Sequence, residues 1–297
     1  MKSRNALKTS WTDALEKSEA PCDASLREHL LEAHRLHPGF TEGCATKCKD
    51  AEGRTSYEWL CDVVEPSCHR RMLDLACGSG YLLSLCRDRF PDAQTLTGID
   101  MSAAELRLAE ERLAGEGVLL IEGLAQDLSF ADDATLDAVL CHWALTLMNP
   151  VEPVLREVER VLATGGVFAA VVDGDPMDAP GYAEINDLVF KYVSKELPNY
   201  GDLSLGDPRT RDPQSLEKLA RSVFKTAEVR TERSVFVLEG PKHEIAEEAV
   251  GFFYAAFILP PDARARLLKE VEAMFAETAD DAAVFSLPVC RLVVTPA

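Results

Sequence analysis

The sequence lacks any apolar run long enough to cross a membrane. Its longest apolar stretch is residues 250–259, whereas a spanning helix needs about 20 residues. The first eleven residues carry Lys2, Arg4 and Lys8 and contain no apolar segment of the kind that a secretory signal requires. These absences favour a cytoplasmic protein.

Basic residues are scarce. The chain has 31 Lys and Arg against 50 Asp and Glu, which gives a formal net charge of −19. Such an excess of negative charge repels nucleic-acid backbones and anionic lipid headgroups. The composition therefore argues against a general nucleic-acid or membrane-surface binder and leaves a small molecule as the expected partner. It does not indicate an oligomeric state.

Closely spaced cysteine pairs are also missing. The nine cysteines are an odd number and no Cys-x-x-Cys occurs, so we expect free thiols rather than a disulfide framework. His34, His37, Cys44 and Cys48 are the nearest approach to a zinc-ligand set, but Cys44-x-x-x-Cys48 has no second tight pair. We therefore predict no metal site and no iron–sulfur cluster.

The hydrophobic pattern predicts an α/β protein of one large domain or two small ones. From Arg71 onward, short apolar runs alternate with helical periods, which is typical of a parallel sheet with helices on both sides. The predicted strands are residues 72–76, 95–99, 118–121, 136–141, 167–173, 226–238 and 283–294. The predicted helices after Asp173 are residues 182–197, 214–223, 244–259 and 263–276. Residues 198–213 form a long polar loop.

Three residues give helix-start signals. Asp23 can cap a helix that ends near Leu36, Ser102 with Glu105 forms a capping box, and Pro150 suits a first helical turn. We divide the chain into an N-terminal helical lid segment (1–70), a ligand-binding core (71–175) and a C-terminal part (176–297) with cap helices and the last two strands.

A glycine turn follows the first core strand. Gly78 and Gly80 let the backbone approach a ligand and expose N–H donors at a helix N-terminus. Asp100 closes the next strand, where an acidic side chain can reach ribose hydroxyls. A dinucleotide fingerprint would need a third glycine where Leu83 stands. These residues indicate a nucleoside-bearing ligand other than NAD or FAD.

The stretch from residue 56 to 172 resembles the class I S-adenosylmethionine-dependent methyltransferases. Residues 73–80, Leu-Asp-Leu-Ala-Cys-Gly-Ser-Gly, are similar to the first motif of that family, with Ala76 in place of a glycine. The 126–130 run resembles its adenine motif, and residues 156–166 resemble its lead into the fifth strand. The resemblance implies S-adenosylmethionine as cofactor and a doubly wound, mostly parallel seven-stranded Rossmann-like sheet, with an antiparallel edge hairpin and helical cap elements.

The resemblance also assigns individual residues to the cofactor. These cofactor-binding residues are Asp74, Ala76, Gly78, Gly80, Asp100, Met101, Gln126, Asp127, Leu128 and Cys141. The glycine loop would wrap the methionine part, and Asp100 would bind the ribose hydroxyls beside Met101. Asp127 and the Leu128 N–H would meet the adenine ring, and the strand end at Cys141 would offer a carbonyl to the cofactor amine.

Aromatic residues and one histidine are candidates for the reacting centre. His142, at the end of the fourth strand, is a possible general base or orienting group, with Tyr57 as a possible helper. Trp143 and Tyr182 could present aromatic faces to a sulfonium or a substrate. For each of these four residues, plain packing under the lid is the competing interpretation.

We therefore expect an enzyme that transfers a methyl group from S-adenosylmethionine to a small molecule by in-line displacement. Two alternatives stay open. A lyase or cyclase on the same fold would cyclise the aminopropyl chain of the cofactor and release methylthioadenosine. A non-catalytic module would bind the cofactor only.

Overall fold

One seven-stranded sheet forms the centre of the molecule. The computed structural model describes residues 6–115, 117–200, 205–275 and 282–296. The strands are β1 (Arg71–Leu75), β2 (Thr95–Asp100), β3 (Leu119–Glu122), β4 (Leu136–His142), β5 (Leu162–Asp173), β6 (Glu228–Pro241) and β7 (Ala282–Thr295). Their order is β3-β2-β1-β4-β5-β7-β6. β1 to β5 pair in parallel, and β7 is antiparallel to both β5 and β6. This arrangement confirms the predicted fold class.

Eleven α-helices lie in the described residues. They are α1 (Ser10–Glu16), α2 (Asp23–Leu36), α3 (Glu42–Ala45), α4 (Ser56–Cys61), α5 (Tyr81–Arg89), α6 (Ala103–Arg112), α7 (Glu152–Val161), α8 (Tyr182–Glu196), α9 (Pro213–Val223), α10 (Lys242–Phe252) and α11 (Pro261–Met274). Short 3-10 segments occur at Leu145–Leu147, Pro176–Asp178, Pro208–Arg211 and Tyr254–Ile258. No helix among the described residues is both long and apolar enough to cross a membrane.

The sheet buries both of its faces because successive side chains of a strand point to opposite sides. In β4, Ala138 and Leu140 pack into a core that also contains residues of α4 and α5, for example Leu60 of α4. Val139 and Cys141 pack on the other side with α7 and α9. A strand that is covered on both faces has a continuous run of apolar residues. The hydrophobic pattern of the sequence could therefore predict these strands.

Two predicted helix starts differ from the structure. α7 begins at Glu152, with Pro153 rather than Pro150 in its first turn, where a missing N–H costs nothing. α2 begins at Asp23 itself after Cys22, which makes no side-chain cap. The Asp23 carboxylate instead accepts a hydrogen bond from the Asn149 amide at 2.9 Å.

The capping box at α6 is half formed. The Ser102 hydroxyl accepts the Glu105 N–H, but the Glu105 carboxylate does not return to the Ser102 backbone. It accepts hydrogen bonds from the Gly39 N–H at 2.9 and 3.1 Å and pairs with His34. The carboxylate is therefore used to hold the N-terminal segment on the core.

A cap over the carboxyl edge of the sheet comes from both sides of the core in sequence. Residues before β1 supply α1 and α2, and residues after β5 supply α8, α10 and the 254–258 segment. The Leu7 N–H donates to the Phe257 carbonyl at 2.9 Å, which joins the two parts. The predicted helix over residues 244–259 is interrupted at Phe253, whose backbone is extended with φ −88° and ψ 118°. This break turns the aromatic residues 252–254 toward the carboxyl edge. The division into residues 1–70, 71–175 and 176–297 stays an interpretation.

Candidate active site

The turn after β1 brings backbone and carboxylate together. Ala76, Gly78 and Gly80 all have positive φ angles, between 52° and 75°. A Cβ on Gly80 would lie 2.9 Å from Leu113 and 3.0 Å from Ala109, so this position admits only glycine without local movement. The turn is therefore held tightly against α6.

Asp100 fixes the same turn from the end of β2. Its Oδ2 accepts the Gly78 N–H at 2.9 Å, and its Oδ1 accepts the Ser102 N–H at 2.8 Å. Burial raises the pKa of Asp100, and the two N–H donors oppose that rise. A carboxylate accepts about four hydrogen bonds, so Asp100 can still accept from hydroxyl groups of a ligand.

Asp74 lies within β1 and is 4% exposed. Its Oδ2 has no hydrogen-bond partner among the described residues, and burial together with the nearby Asp100 charge raises its pKa. A buried acceptor without a partner is costly. Asp74 is therefore held within β1 at an energetic cost.

His142 ends β4 and faces a cavity. Its Nε2 lies 2.9 Å from Ser56 Oγ, and its ring stacks on Tyr57 with 3.5 Å between centroids. Burial lowers the pKa of His142 to about 3. The imidazole is therefore neutral at physiological pH, which suits it to orient a ligand and makes it a weak general base.

Tyr57 does not lie on the cavity wall. It is 6% exposed and packs behind His142 and against Tyr81. Burial raises its pKa well above the usual value. The structure therefore corrects the prediction of a direct catalytic contact: Tyr57 supports the His142 ring.

The cavity of about 410 Å³ runs from the β1 turn to the cap. The predicted site residues on its wall are Ala76, Gly78, Asp100, Met101, Gln126, His142, Trp143 and Tyr182. The other predicted residues, Asp74, Gly80, Asp127, Leu128 and Cys141, lie outside the lining residues. The cavity thus brings the turn, the β2 end and the β4 end together at the sheet edge where parallel α/β folds bind ligands.

Asp127 and Leu128 require a correction. The Leu128 N–H already donates to Glu157 Oε2 at 2.8 Å, and Leu128 is fully buried. The Asp127 carboxylate is exposed and accepts the Ser129 N–H at 3.1 Å. Neither group faces the cavity, whereas Ala125 and Gln126 do.

Several cavity residues carry no local sequence signal. One example is His34, whose Nδ1 lies 2.7 Å from Glu105 Oε1 and whose Nε2 lies 2.8 Å from the Tyr254 hydroxyl. This network joins α2, α6 and the 254–258 segment beside the cavity.

Asp173 and Arg211 form an ion pair on the cavity wall. Asp173 could have been predicted because it ends β5, where parallel sheets place their ligand-binding residues. Nothing in the long polar loop indicated Arg211.

Cys44 and Cys48 are buried and lie with their sulfur atoms 3.2 Å apart. His34 is engaged with Glu105 and Tyr254, and the His37 ring stacks on Phe257 at 4.7 Å. The part of the chain that the structure describes contains no group of three or more His, Cys, Asp or Glu placed to hold a metal.

Comparison with known proteins identifies the central part of the chain. Residues 73–170 match the family model described as a methyltransferase domain. A demethylmenaquinone methyltransferase from Listeria welshimeri is 28% identical over 157 residues, which cover 50% of this chain and 66% of that protein. A Staphylococcus aureus protein of the same name is 31% identical over 156 residues, or 52% of this chain and 60% of that protein. The chain thus spans less than two thirds of the length of these relatives.

Solved structures show the same fold. The YcgJ protein from Bacillus subtilis has a TM-score of 0.54 at 17% identity, over 82% of this chain and 98% of that chain. The [4+2]-cyclase SpnF has a TM-score of 0.53 at 18% identity, over 94% of this chain and 98% of that chain. At these identities the likeness concerns the fold alone. The matched domain at residues 73–170 and the sheet order thus make the central part of this chain similar to the class I S-adenosylmethionine-dependent methyltransferases.

Proposed function

We propose that this protein is an enzyme that transfers a methyl group from S-adenosylmethionine to a small molecule. One observation carries the proposal. A single cavity joins the Gly78–Asp100 turn to an aromatic chamber under the cap. Such a cavity accommodates a nucleoside at one end and an acceptor at the other.

The residues present fit the cofactor. Asp100 can accept from the two ribose hydroxyls, and Met101 with Ala125 and Gln126 can flank the adenine. The turn at Gly78, which lines the cavity, can lie against the methionine part. When bound, the cofactor supplies an electrophilic methyl group on a sulfonium.

The chain contributes position and enclosure. Ordering two reactants in a closed cavity removes much of the entropic barrier of an in-line displacement. His142 is held by Ser56 and by the Tyr57 ring, so its neutral imidazole can orient an acceptor. The Trp143 and Tyr182 rings line the acceptor end and can face a sulfonium.

The proposal is tested first by calorimetry. S-adenosylhomocysteine should bind and NAD should not, because Leu83, buried at 1% exposure, occupies the place of the third glycine of a dinucleotide turn. Binding of NAD without any response to S-adenosylhomocysteine would contradict the proposal.

Product analysis then separates the possible reactions. The pure protein is incubated with S-adenosylmethionine alone and the products are followed by mass spectrometry against a no-enzyme control. We expect the cofactor to stay intact until an acceptor is added and then to yield S-adenosylhomocysteine. Multiple turnovers to methylthioadenosine would instead show cyclisation of the aminopropyl chain. No turnover with any acceptor would favour a cofactor-binding module.

A further inference from the structure

The cavity wall contains a buried hydroxyl group that has no hydrogen-bond partner in the described part of the chain. Tyr200 is 1% exposed and lines the cavity. Its hydroxyl makes no hydrogen bond to any described residue. The Trp11 ring lies 5.1 Å away edge-on and the Phe190 ring 6.2 Å away. Packing from α1 and α8 thus holds the ring, and the hydroxyl is left without an acceptor among the described residues, which a ligand can supply.

An aromatic wall lines the same cavity. We define it as Trp143, Phe252, Phe253 and Tyr182, whose successive ring centroids are 5.4, 5.6 and 5.8 Å apart. All four residues line the cavity. Aromatic side chains favour offset or edge contacts with another ring at such distances. The wall therefore suits a planar aromatic ligand.

The charges at this end compensate one another. Asp173 Oδ1 accepts the Trp143 Nε1–H at 3.1 Å, and Asp173 Oδ2 pairs with Arg211. The second Arg211 nitrogen donates to the Leu205 carbonyl at 3.1 Å. Arg27, the other guanidinium among the described lining residues, is exposed. A phosphate or carboxylate beside Tyr200 would have to compete with Asp173 for Arg211.

We infer that the acceptor is an uncharged aromatic small molecule whose oxygen accepts a hydrogen bond from the Tyr200 hydroxyl while its ring lies against the aromatic wall. This inference rests on the proposed function, because it names the substrate class of the same cavity. It makes Tyr200 a specificity-determining residue of the cavity.

The test uses 2-naphthol as the probe and naphthalene as the matched compound without oxygen. Both are titrated into protein saturated with S-adenosylhomocysteine. Tyr200→Phe should weaken 2-naphthol binding about 10-fold, since the buried oxygen loses its donor. The same substitution should leave naphthalene binding unchanged, and 2-naphthyl phosphate should bind more weakly than 2-naphthol.

Tyr192→Phe is the matched control. Tyr192 lies on α8, outside the cavity lining, and its hydroxyl donates to Glu270, so this variant should bind 2-naphthol like the unchanged protein. Thermal unfolding checks that both variants fold. Equal 2-naphthol affinity of the unchanged protein and Tyr200→Phe, or no 2-naphthol binding by the unchanged protein, would overturn the inference.

The two proposals fail separately. A protein that binds S-adenosylhomocysteine but does not distinguish 2-naphthol through Tyr200 contradicts only the inference. A protein that does not bind S-adenosylhomocysteine contradicts the proposed function. The 2-naphthol titration can then be run without it to test the chamber alone.

Discussion

Asp100 is the central residue of the proposed cofactor site. Its two oxygens hold the Gly78 and Ser102 N–H groups, so the side chain shapes the turn and faces the cavity at once. Asp127, which the family resemblance also assigns to the cofactor, is exposed and lies outside the lining residues. Substitution of each carboxylate therefore tests whether the family motif or the cavity geometry better predicts the cofactor contacts.

Asp100→Ala should weaken S-adenosylhomocysteine binding ~10- to 150-fold, because removing a charged acceptor costs ~1.5–3 kcal/mol. Asp127→Ala should leave the affinity unchanged. Calorimetry measures both, and circular dichroism checks that each variant is folded. An Asp127→Ala protein that is weakened as strongly as Asp100→Ala would restore the adenine contact that the motif implied.

At the scale of elements, a network of three side chains helps to hold the cap on the core. His34 of α2 lies between Glu105 of α6 and Tyr254 of the 254–258 segment. Glu105 is 1% exposed, so water does not replace these contacts readily. We therefore expect these contacts to slow the release of a ligand bound under the cap.

Tyr254→Phe should raise the dissociation rate of S-adenosylhomocysteine severalfold, up to about 10-fold, because a hydrogen bond of ~0.5–1.5 kcal/mol is lost from the closed state. The association rate should change little. Stopped-flow displacement measures both rates. Tyr192→Phe, whose hydroxyl contact with Glu270 lies outside the cavity lining, serves as the control. An unchanged dissociation rate in Tyr254→Phe would show that the cap opens elsewhere.

For the whole molecule, buried histidine makes stability depend on pH. His29 is fully buried between α1 and the rest of the cap. Its Nδ1 lies 2.9 Å from the Thr9 hydroxyl, and its Nε2 has no partner among the described residues. Burial lowers the pKa of His29 to about 4. In the unfolded chain this histidine takes up a proton near pH 6.5, whereas in the folded protein it stays neutral until about pH 4. The His29 contribution therefore lowers the free energy of unfolding as the pH falls from 6.5 toward 4.

Between pH 7 and pH 5 the His29 contribution amounts to about 2 kcal/mol. The free energy of unfolding is measured with urea at the two pH values. From pH 7 to pH 5 it should fall by about 2 kcal/mol less in His29→Gln than in the unchanged protein. The comparison within each variant cancels the constant cost of the substitution. His243→Gln changes an exposed histidine and should not reduce the loss. Equal pH dependence of His29→Gln and the unchanged protein would contradict this account.

The sequence predicts the sheet better than the site. Strands such as β4 are buried on both faces, so their apolar runs are local signals, and the Gly78 turn with Asp100 is a local motif as well. Leu128 was assigned wrongly because its N–H partner, Glu157, lies on α7 and is not visible from the motif. Tyr200 and Arg211 were missed because they belong to no sequence motif and reach the cavity only through the tertiary fold.

The position of β7 has a consequence for synthesis of the chain. β7 is the last in sequence of the described strands, yet it lies between β5 and β6 in the sheet. On a ribosome, β5 is complete about 110 residues before β7 begins, a wait of roughly 5–20 s. During that time β5 presents an unpaired edge of backbone donors and acceptors, and β6 joins it once Pro241 has been added. Such edges are the kind of surface that recruits strands from other chains. The nascent protein therefore passes through an interval in which its own central sheet is open to association, and only the arrival of residues 282–295 closes it.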